Sequence, residues 1–365
     1  MSRRDFADRL LGAARTQRAG RSALRSPLPG PRRWGDRATG LAKRWRDLVA
    51  ALAGVALIAA ANPARAADYP SRSVRVVVPY PAGGPTDLIA RLAAQMLTES
   101  LGQSFFVENV SGASGARGAA MVAAAPGDGY TLMVATNDLA IAPVMSTKVG
   151  YDPIRNFAPI SIISRSPSVL LLHPSVPAKT VAEFVTLARA DPAKYSYASM
   201  SLGQNLLNTE RLFHLTLNLP IVRIPFPGAA PILGSTAAGH TLVGYIGLPP
   251  ASPFIKEGTL RALAVTSPDR SPIAPDVPTM AESGLAGQET ELMIGLVAPA
   301  ATPRPIVELL ARRIAEFVAR PQTQERLAAL GFTAVGGTPE EFAAQIRSDI
   351  DRAAAVIRDA GIKVD

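Results

Sequence analysis

Val78-Pro79-Tyr80-Pro81-Ala82-Gly83-Gly84-Pro85-Thr86-Asp87 is the stretch on which the fold turns. A β-branched run from Arg75 to Tyr80 enters it, and a helical pattern from Thr86 to about Leu101 leaves it. The paired glycines allow a tight turn and let a ligand approach the main chain closely. Pro85 suits a first helical turn, where its missing N–H leaves nothing unpaired. The helix start offers free N–H groups and a partial positive charge, so a carboxylate cradle is one reading. Asp87 is expected to cap that helix or to hold the loop in shape. An ordinary strand-to-helix turn fits the same residues equally well.

Working outward, strand and helix patterns alternate. Phe105 to Glu108 is a short strand, followed by a Gly-rich turn and a helix to about Ala125. Tyr130 to Ala135, Ile160 to Ser164 and Val169 to His173 read as three further strands. Thr180 with Glu183, and Thr338 with Glu341, have the spacing of capping boxes that open helices. Tyr195 to Ala198, Ile221 to Ile224, Thr241 to Tyr245 and Leu260 to Thr266 are strands separated by helices, and from Ile306 the chain is helical almost to its end. Such alternation predicts open α/β sheets with parallel strands. Ligands then bind beyond the carboxyl ends of strands, where turns lead into helix N-termini.

The 365 residues suffice for two lobes. The formal charge of +9 is misleading until it is located: residues 1–66 hold 14 Lys+Arg against 4 Asp+Glu, and the rest 24 against 25. The body is close to neutral and shows no basic stripe of the kind a nucleic-acid face needs. Absence of Cys excludes disulfides and thiolate chemistry. Lys43, Arg44 and Arg46, then an apolar run from Leu48 to Ala61, then Ala64-Arg65-Ala66 form a secretory signal with cleavage expected after Ala66. The apolar run is shorter than the ~20 residues a membrane span needs. Ser2-Arg3-Arg4-Asp5-Phe6 resembles a twin-arginine motif, but the apolar run lies far beyond it, and a downstream translation start is the favoured reading. Residues 1–66 are therefore set apart as extension and signal peptide.

Catalytic patterns are weak. Gly112-Ala113-Ser114-Gly115-Ala116-Arg117-Gly118 lacks both the dinucleotide fingerprint and the Walker residues, and close packing of loop on loop is expected, with Arg117 solvated. His173, His214 and His240 are widely spaced, without metal-helix periodicity. Ser114, Ser199 and Ser201 lie in no nucleophile elbow, and Glu289 and Glu291 are expected to face solvent. A binding protein without cofactor or metal is expected rather than an enzyme.

A series of phrases resembles the Bug-type (TctC-like) solute receptors of tripartite tricarboxylate transport systems. Tyr69-Pro70-Ser71, Pro81-Ala82-Gly83-Gly84 with Thr86-Asp87, Leu101-Gly102-Gln103 and Val107-Glu108-Asn109 come first. Pro126-Gly127-Asp128-Gly129-Tyr130-Thr131-Leu132 and Tyr151-Asp152-Pro153 with Phe157-Ala158-Pro159-Ile160 follow. Leu260 to Thr266, Asp276-Val277-Pro278-Thr279, Ala298-Pro299, Gly336 to Phe342 and the ending Ala360 to Val364 complete a likeness spanning residues 68–365. The resemblance implies a type II periplasmic-binding-protein fold, α/β in class, with residues 67–166 and 295–365 as lobe one, residues 167–294 as lobe two and a ligand cleft between them. It implies a periplasmic, monomeric receptor that takes a small carboxylate solute and hands it to membrane permease subunits. A sensor domain feeding a signalling partner, or a hydrolase on a related fold, are the alternatives.

Carried across, the first pincer is Tyr80, Ala82, Gly83, Gly84, Thr86 and Asp87, with Thr136 and Asn137 on the neighbouring strand end. The second is Ser199, Gly203, Gln204 and Asn205. Lobe two departs from the usual pattern: Leu207 stands at a common His position, Pro225-Phe226-Pro227-Gly228-Ala229 replaces Pro-Tyr-Lys-Gly-Ser, and Ile246 replaces an Asp. Relatives often carry a Trp before the strand that returns to lobe one, where Met293 or a neighbour stands here. Phe226, Gly228 and Ile246 complete the expected ligand wall. A wall this apolar suggests a monocarboxylate with an apolar or aromatic body.

Overall fold

The computed structural model describes residues 69–201 and 203–364; the expected signal peptide and cleavage position lie outside them. Strand β1 (Val74–Val78) runs through the glycine turn into helix α1 (Pro85–Leu101). Ile89, Leu92, Ala93, Met96 and Leu97 recur at helical spacing and form its buried face. Gly102, in the left-handed region at φ 73, ends the helix and donates its N–H to Thr98 O.

Next come β2 (Phe105–Asn109), α2 (Ala116–Ala123), β3 (Thr131–Thr136) and α3 (Asp138–Met145). Strand β4 (Phe157–Leu172) leads to α4 (Val181–Ala190), β5 (Ser196–Met200), α5 (Gln204–Thr209), β6 (Val222–Phe226), α6 (Ala229–Ala237), β7 (Val243–Gly247), α7 (Leu248–Lys256) and β8 (Arg261–Val265). Strand β9 (Glu291–Pro299), helices α8 (Arg304–Val318) and α9 (Pro321–Ala329), strand β10 (Thr333–Gly336) and helix α10 (Pro339–Asp359) complete the order.

Two α/β lobes share β4. In the first, β2, β1 and β3 are parallel, β9 is antiparallel to β3, and β4 lies between β9 and β10, antiparallel to both. From Ser168 onward β4 changes partners, lying antiparallel to β7 and β8, with β5 and β6 continuing in parallel beyond β7. The two strands expected at Ile160–Ser164 and Val169–His173 are therefore one 16-residue strand. The sheet is mixed rather than wholly parallel, because β9, β10 and the β4 pairings run against the rest. Chain direction across a sheet is a non-local property that local patterns do not encode.

Side chains of β4 feed four apolar clusters. Ile160 and Ile163 pack with Ile89 and Leu310 on one face of the first lobe, and Phe157 and Ile162 with Val122 and Phe342 on the other. Leu170 and Leu172 join Phe184 and Phe213, while Val169 and Leu171 join Ile232 and Leu248. Fully burying one such side chain contributes about 1.5–3 kcal/mol. Both sheets are thus covered on two faces, which leaves loops at the strand ends to carry function.

The Thr338–Glu341 capping box forms in full, with Glu341 N donating to Thr338 Oγ1 at 3.2 Å and Thr338 N to the Glu341 carboxylate at 2.8 Å. At Thr180 only half forms: the hydroxyl accepts from Glu183 N, but the Glu183 carboxylate accepts from Lys179 N instead. The last long helix opens at Thr338 as expected, and the helical stretch from Ile306 is interrupted before it by β10, which follows Gly331 at φ 82.

Candidate functional site

The carboxyl ends of β1, β3, β5, β6 and β7 each open into a loop that starts a helix. Gly83 holds φ 83, a conformation that costs glycine nothing, and Gly84 is the extended N-cap of α1 with Pro85 behind it. Asp87 is buried under this loop. Its carboxylate accepts from Gly83 N at 3.0 Å, Asn109 Nδ2 at 2.9 Å, and Arg91 Nε and Nη2 at 2.9 and 3.1 Å. Burial works against its charge, but these donors outweigh burial and hold the carboxyl below its ordinary range. Of the two roles expected for Asp87, the hydrogen bonds give it the shaping of the loop, since Gly84 caps α1 without a side chain. Asn109 secures the same loop by donating to Tyr80 O at 3.0 Å. Ala82 and Gly83 are exposed and Thr86 is buried.

Tyr80 and Thr136 are brought together, their hydroxyl oxygens 2.6 Å apart. Asn137 turns away from them: its amide donates to Asp349 Oδ2 at 2.9 Å and its carbonyl accepts from Met293 N at 2.8 Å, tying α3 to α10 and β9. The 112–118 turn packs beneath the first pincer, where Ser114 and Gly115 join Pro79, Tyr80 and Asp138 around a cavity of about 10 Å³. Arg117 is exposed.

In the second lobe, Asn205 shapes its own loop, accepting from Met200 N at 2.7 Å and donating to Tyr245 O at 3.0 Å. Ser199 is fully buried, its hydroxyl directed to Met200 O at 3.3 Å. Ser201 donates through both N–H and hydroxyl to Phe226 O, fastening the β5 loop to the β6 end. Phe226 is half-buried against the cluster in which Ile246 is buried with Val169, Ile232 and Leu248. Gly228 begins α6 with no side-chain cap.

The lobes meet across these loops. Gln204 N donates to Asp138 Oδ1 at 2.8 Å, and Gln204 Nε2 to Glu291 O at 3.2 Å. Leu207 is buried with Ile141, Ala353 and Val356, so α5 of the second lobe rests on α3 and α10 of the first. Asp138, at the first position of α3, was not among the residues expected at the site; its signal was an acidic residue directly after Thr136-Asn137 at a strand end. Burial pushes its carboxyl up to about 6, against the opposing pull of the Gln204 N–H and Tyr80 hydrogen bonds. Burial, reinforced by the Asp138 charge, raises the Tyr80 hydroxyl well above its usual value.

Glu289 and Glu291 depart from the solvent-facing placement expected of them. Both are half-buried, and burial raises the Glu291 carboxyl despite nearby Arg165. His173 pairs with the Ser175 hydroxyl at 2.7 Å, and His214 stands 3.3 Å from the Tyr197 hydroxyl.

Comparison with known proteins follows the same lines. Residues 89–362 match the family described as tripartite tricarboxylate transporter family receptor. BugT of Bordetella pertussis is 33% identical over 312 residues, covering 85% of this chain and 96% of its own. The structure of an R. palustris protein with adipate superimposes with a TM-score of 0.75 at 36% identity, covering 80% of this chain and 99% of the other. The periplasmic binding protein BugD superimposes with a TM-score of 0.72 at 31% identity, covering 81% and 99%.

Proposed function

Because the chain belongs to the tripartite tricarboxylate transporter receptor family, we propose that it is a periplasmic receptor that captures a small carboxylate solute between its lobes and presents it to membrane permease subunits. The carrying observation is the Gly83-Gly84 turn, fixed from below by Asp87 and Asn109, leading into a start of α1 that has no side-chain cap. Backbone N–H groups at such a start favour an anion without any side-chain cation. That a related structure holds adipate supports the same ligand class.

In this reading Tyr80, Ala82, Gly83, Gly84, Thr86 and Thr136 form the first wall, and Gly203, Gln204, Phe226 and Gly228 the second. Asp87, Asn137, Ser199 and Asn205 act from behind, positioning those loops through the hydrogen bonds described above. Ile246 backs the second wall from within its cluster. Lobe one comprises residues 67–166 and 295–365 and lobe two residues 167–294, so both connections pass through β4 and β9, and closure proceeds by bending there. Binding alone is the function: no covalent step is assigned to any residue. The protein is exported, released after Ala66, and works as a monomer.

Thermal unfolding with an environment-sensitive dye tests the proposal, since Trp34 and Trp45 both fall within residues 1–66. A ligand at a hundred times its dissociation constant adds about 2.7 kcal/mol of stability. Midpoint increases confined to carboxylates are expected. A response to nucleotides or metals, with none to carboxylates, would refute the proposal.

A further inference from the structure

From the juxtaposition of Asp138, Gln204 and Gly203, we propose that Asp138 is a specificity-determining residue: a fixed carboxylate in the cleft wall that selects solutes whose far end is uncharged. The inference rests on the receptor reading above and names its substrate class, a monocarboxylate with an apolar tail.

Three observations carry it. First, the backbone N–H that the second lobe presents at Gln204 already has a carboxylate, Asp138 Oδ1 at 2.8 Å. Second, Gly203 is shaped around that carboxylate. It holds φ 82, and a Cβ there would stand 2.5 Å from Asp138 Oδ1 and 2.9 Å from Asp138 Cγ. The bareness of this glycine therefore accommodates a side chain of the protein itself, not the solute. Third, the other oxygen is held too, since Tyr80 donates to Asp138 Oδ2 at 3.3 Å, and Tyr80 is anchored by Thr136. The carboxylate is thus bound from both lobes.

A solute with carboxylates at both ends would have to displace Asp138 from Gln204 or bring a second negative charge beside it in a partly desolvated cleft. Like charges so placed are strongly disfavoured. A tail without charge meets no such opposition. The second wall offers the half-buried Phe226, flanked in sequence by Pro225 and Pro227. The first-lobe turn commits the Gly83 N–H to Asp87 and leaves the start of α1, behind Gly84, without a side-chain cap for the single carboxylate.

Three six-carbon acids of matched length provide the test: hexanoate, adipate and 6-aminohexanoate, with neutral, anionic and cationic far ends. Calorimetric titration of the full chain at neutral pH is expected to give hexanoate a dissociation constant at least roughly tenfold below that of adipate. In Asp138→Asn, which keeps the side chain's shape, adipate should gain on hexanoate by roughly the same factor. Asp138→Ser serves as a second variant, and the wild-type ratio stands even if neither variant folds. Adipate binding to wild type as tightly as hexanoate overturns the inference while leaving the receptor reading intact. Preference for 6-aminohexanoate also overturns it, because Asp138 would then be a solute-facing counter-ion. Failure of all three acids to bind, in wild type and variants alike, overturns both.

Discussion

Asp87→Ala isolates the device that shapes the first pincer. Asn109 loses a charged acceptor in a part-buried position, worth about 1.5–3 kcal/mol. Gly83 is exposed, so its N–H recovers a bond to water at little cost. The Arg91 side chain, 54% exposed, adds little through its solvent-screened ion pair. The sum is about 2–3 kcal/mol, or a fall of roughly 3–5 °C in the unfolding midpoint of a body this size. Far-UV circular dichroism on heating, at pH 7, reads it directly. Asp87→Asn retains an acceptor for Gly83 but not the charge, and should cost about half as much. The pH dependence adds a second check. Because the folded carboxyl lies below its ordinary value of 3.8, its stabilisation is complete above that value and disappears as pH falls through the lower, folded one. Wild type and Asp87→Ala should therefore converge in acid. A midpoint change under about 2 °C, or a gap that persists in acid, would refute the role given to this carboxylate.

Asp138 titrates with the opposite sign. Its folded value of about 6 exceeds the ordinary 3.8, so its contribution to stability should begin to increase as pH falls through 6 and be complete only below 3.8, about 2 kcal/mol in all after screening, and Asp138→Asn should flatten that rise in urea titrations. Asp349 and Glu291 are shifted upward as well, so the difference between wild type and variant is the informative quantity. Gly203→Ala places a Cβ 2.5 Å from Asp138 Oδ1 at a positive φ and should cost about 2–4 kcal/mol, of which Asp138→Ser should restore part; strict additivity in that double-mutant cycle would sink the contact. Asn137→Ala removes the bonds to Asp349 and Met293 N and should destabilise by about 2–4 kcal/mol, with faster amide exchange at Met293.

Much of the fold was legible because its units are local. The Gly83-Gly84-Pro85 turn, the helical spacing after it, the Thr338 box and the strand cores all depend on residues within a few positions of each other. What the sequence hid was long-range. Pro167 made β4 look like two strands, yet it stands where the strand leaves β9 for β7 and β8, at a point where a missing N–H is tolerated. β9 is buried along most of its length, so it lacks the alternation that marks a half-exposed strand. At the site, the residue types were readable but their directions were not. Asn137 and Asn205 carry the amides a ligand site calls for, and both face the protein. Asp138 escaped attention because its meaning depends on Gln204, 66 residues away in the chain.

The helix starts show how these parts combine. α4 and α10, away from the strand-end loops, begin with Thr180 and Thr338, whose hydroxyls satisfy an N–H of the first turn. α1, α5, α6 and α7 follow the parallel strands, begin after Gly84, Gly203, Gly228 and Gly247, and have no side-chain cap. Replacing a good cap typically costs about 0.5–2 kcal/mol, though glycine loses only a few tenths. These starts thus stay open cheaply and differ in what they can hold. At α7 the opening Leu248-Pro249-Pro250 removes two N–H groups from the first turn, and Pro231 removes one from that of α6. At α5 the Gln204 N–H is taken by Asp138. The start of α1 loses only the Pro85 N–H, and Asp87 beneath it holds the turn open instead of filling it. A start of α1 without a side-chain cap, together with a start of α5 taken by the protein's own carboxylate, is what the proposed preference for a singly charged acid requires.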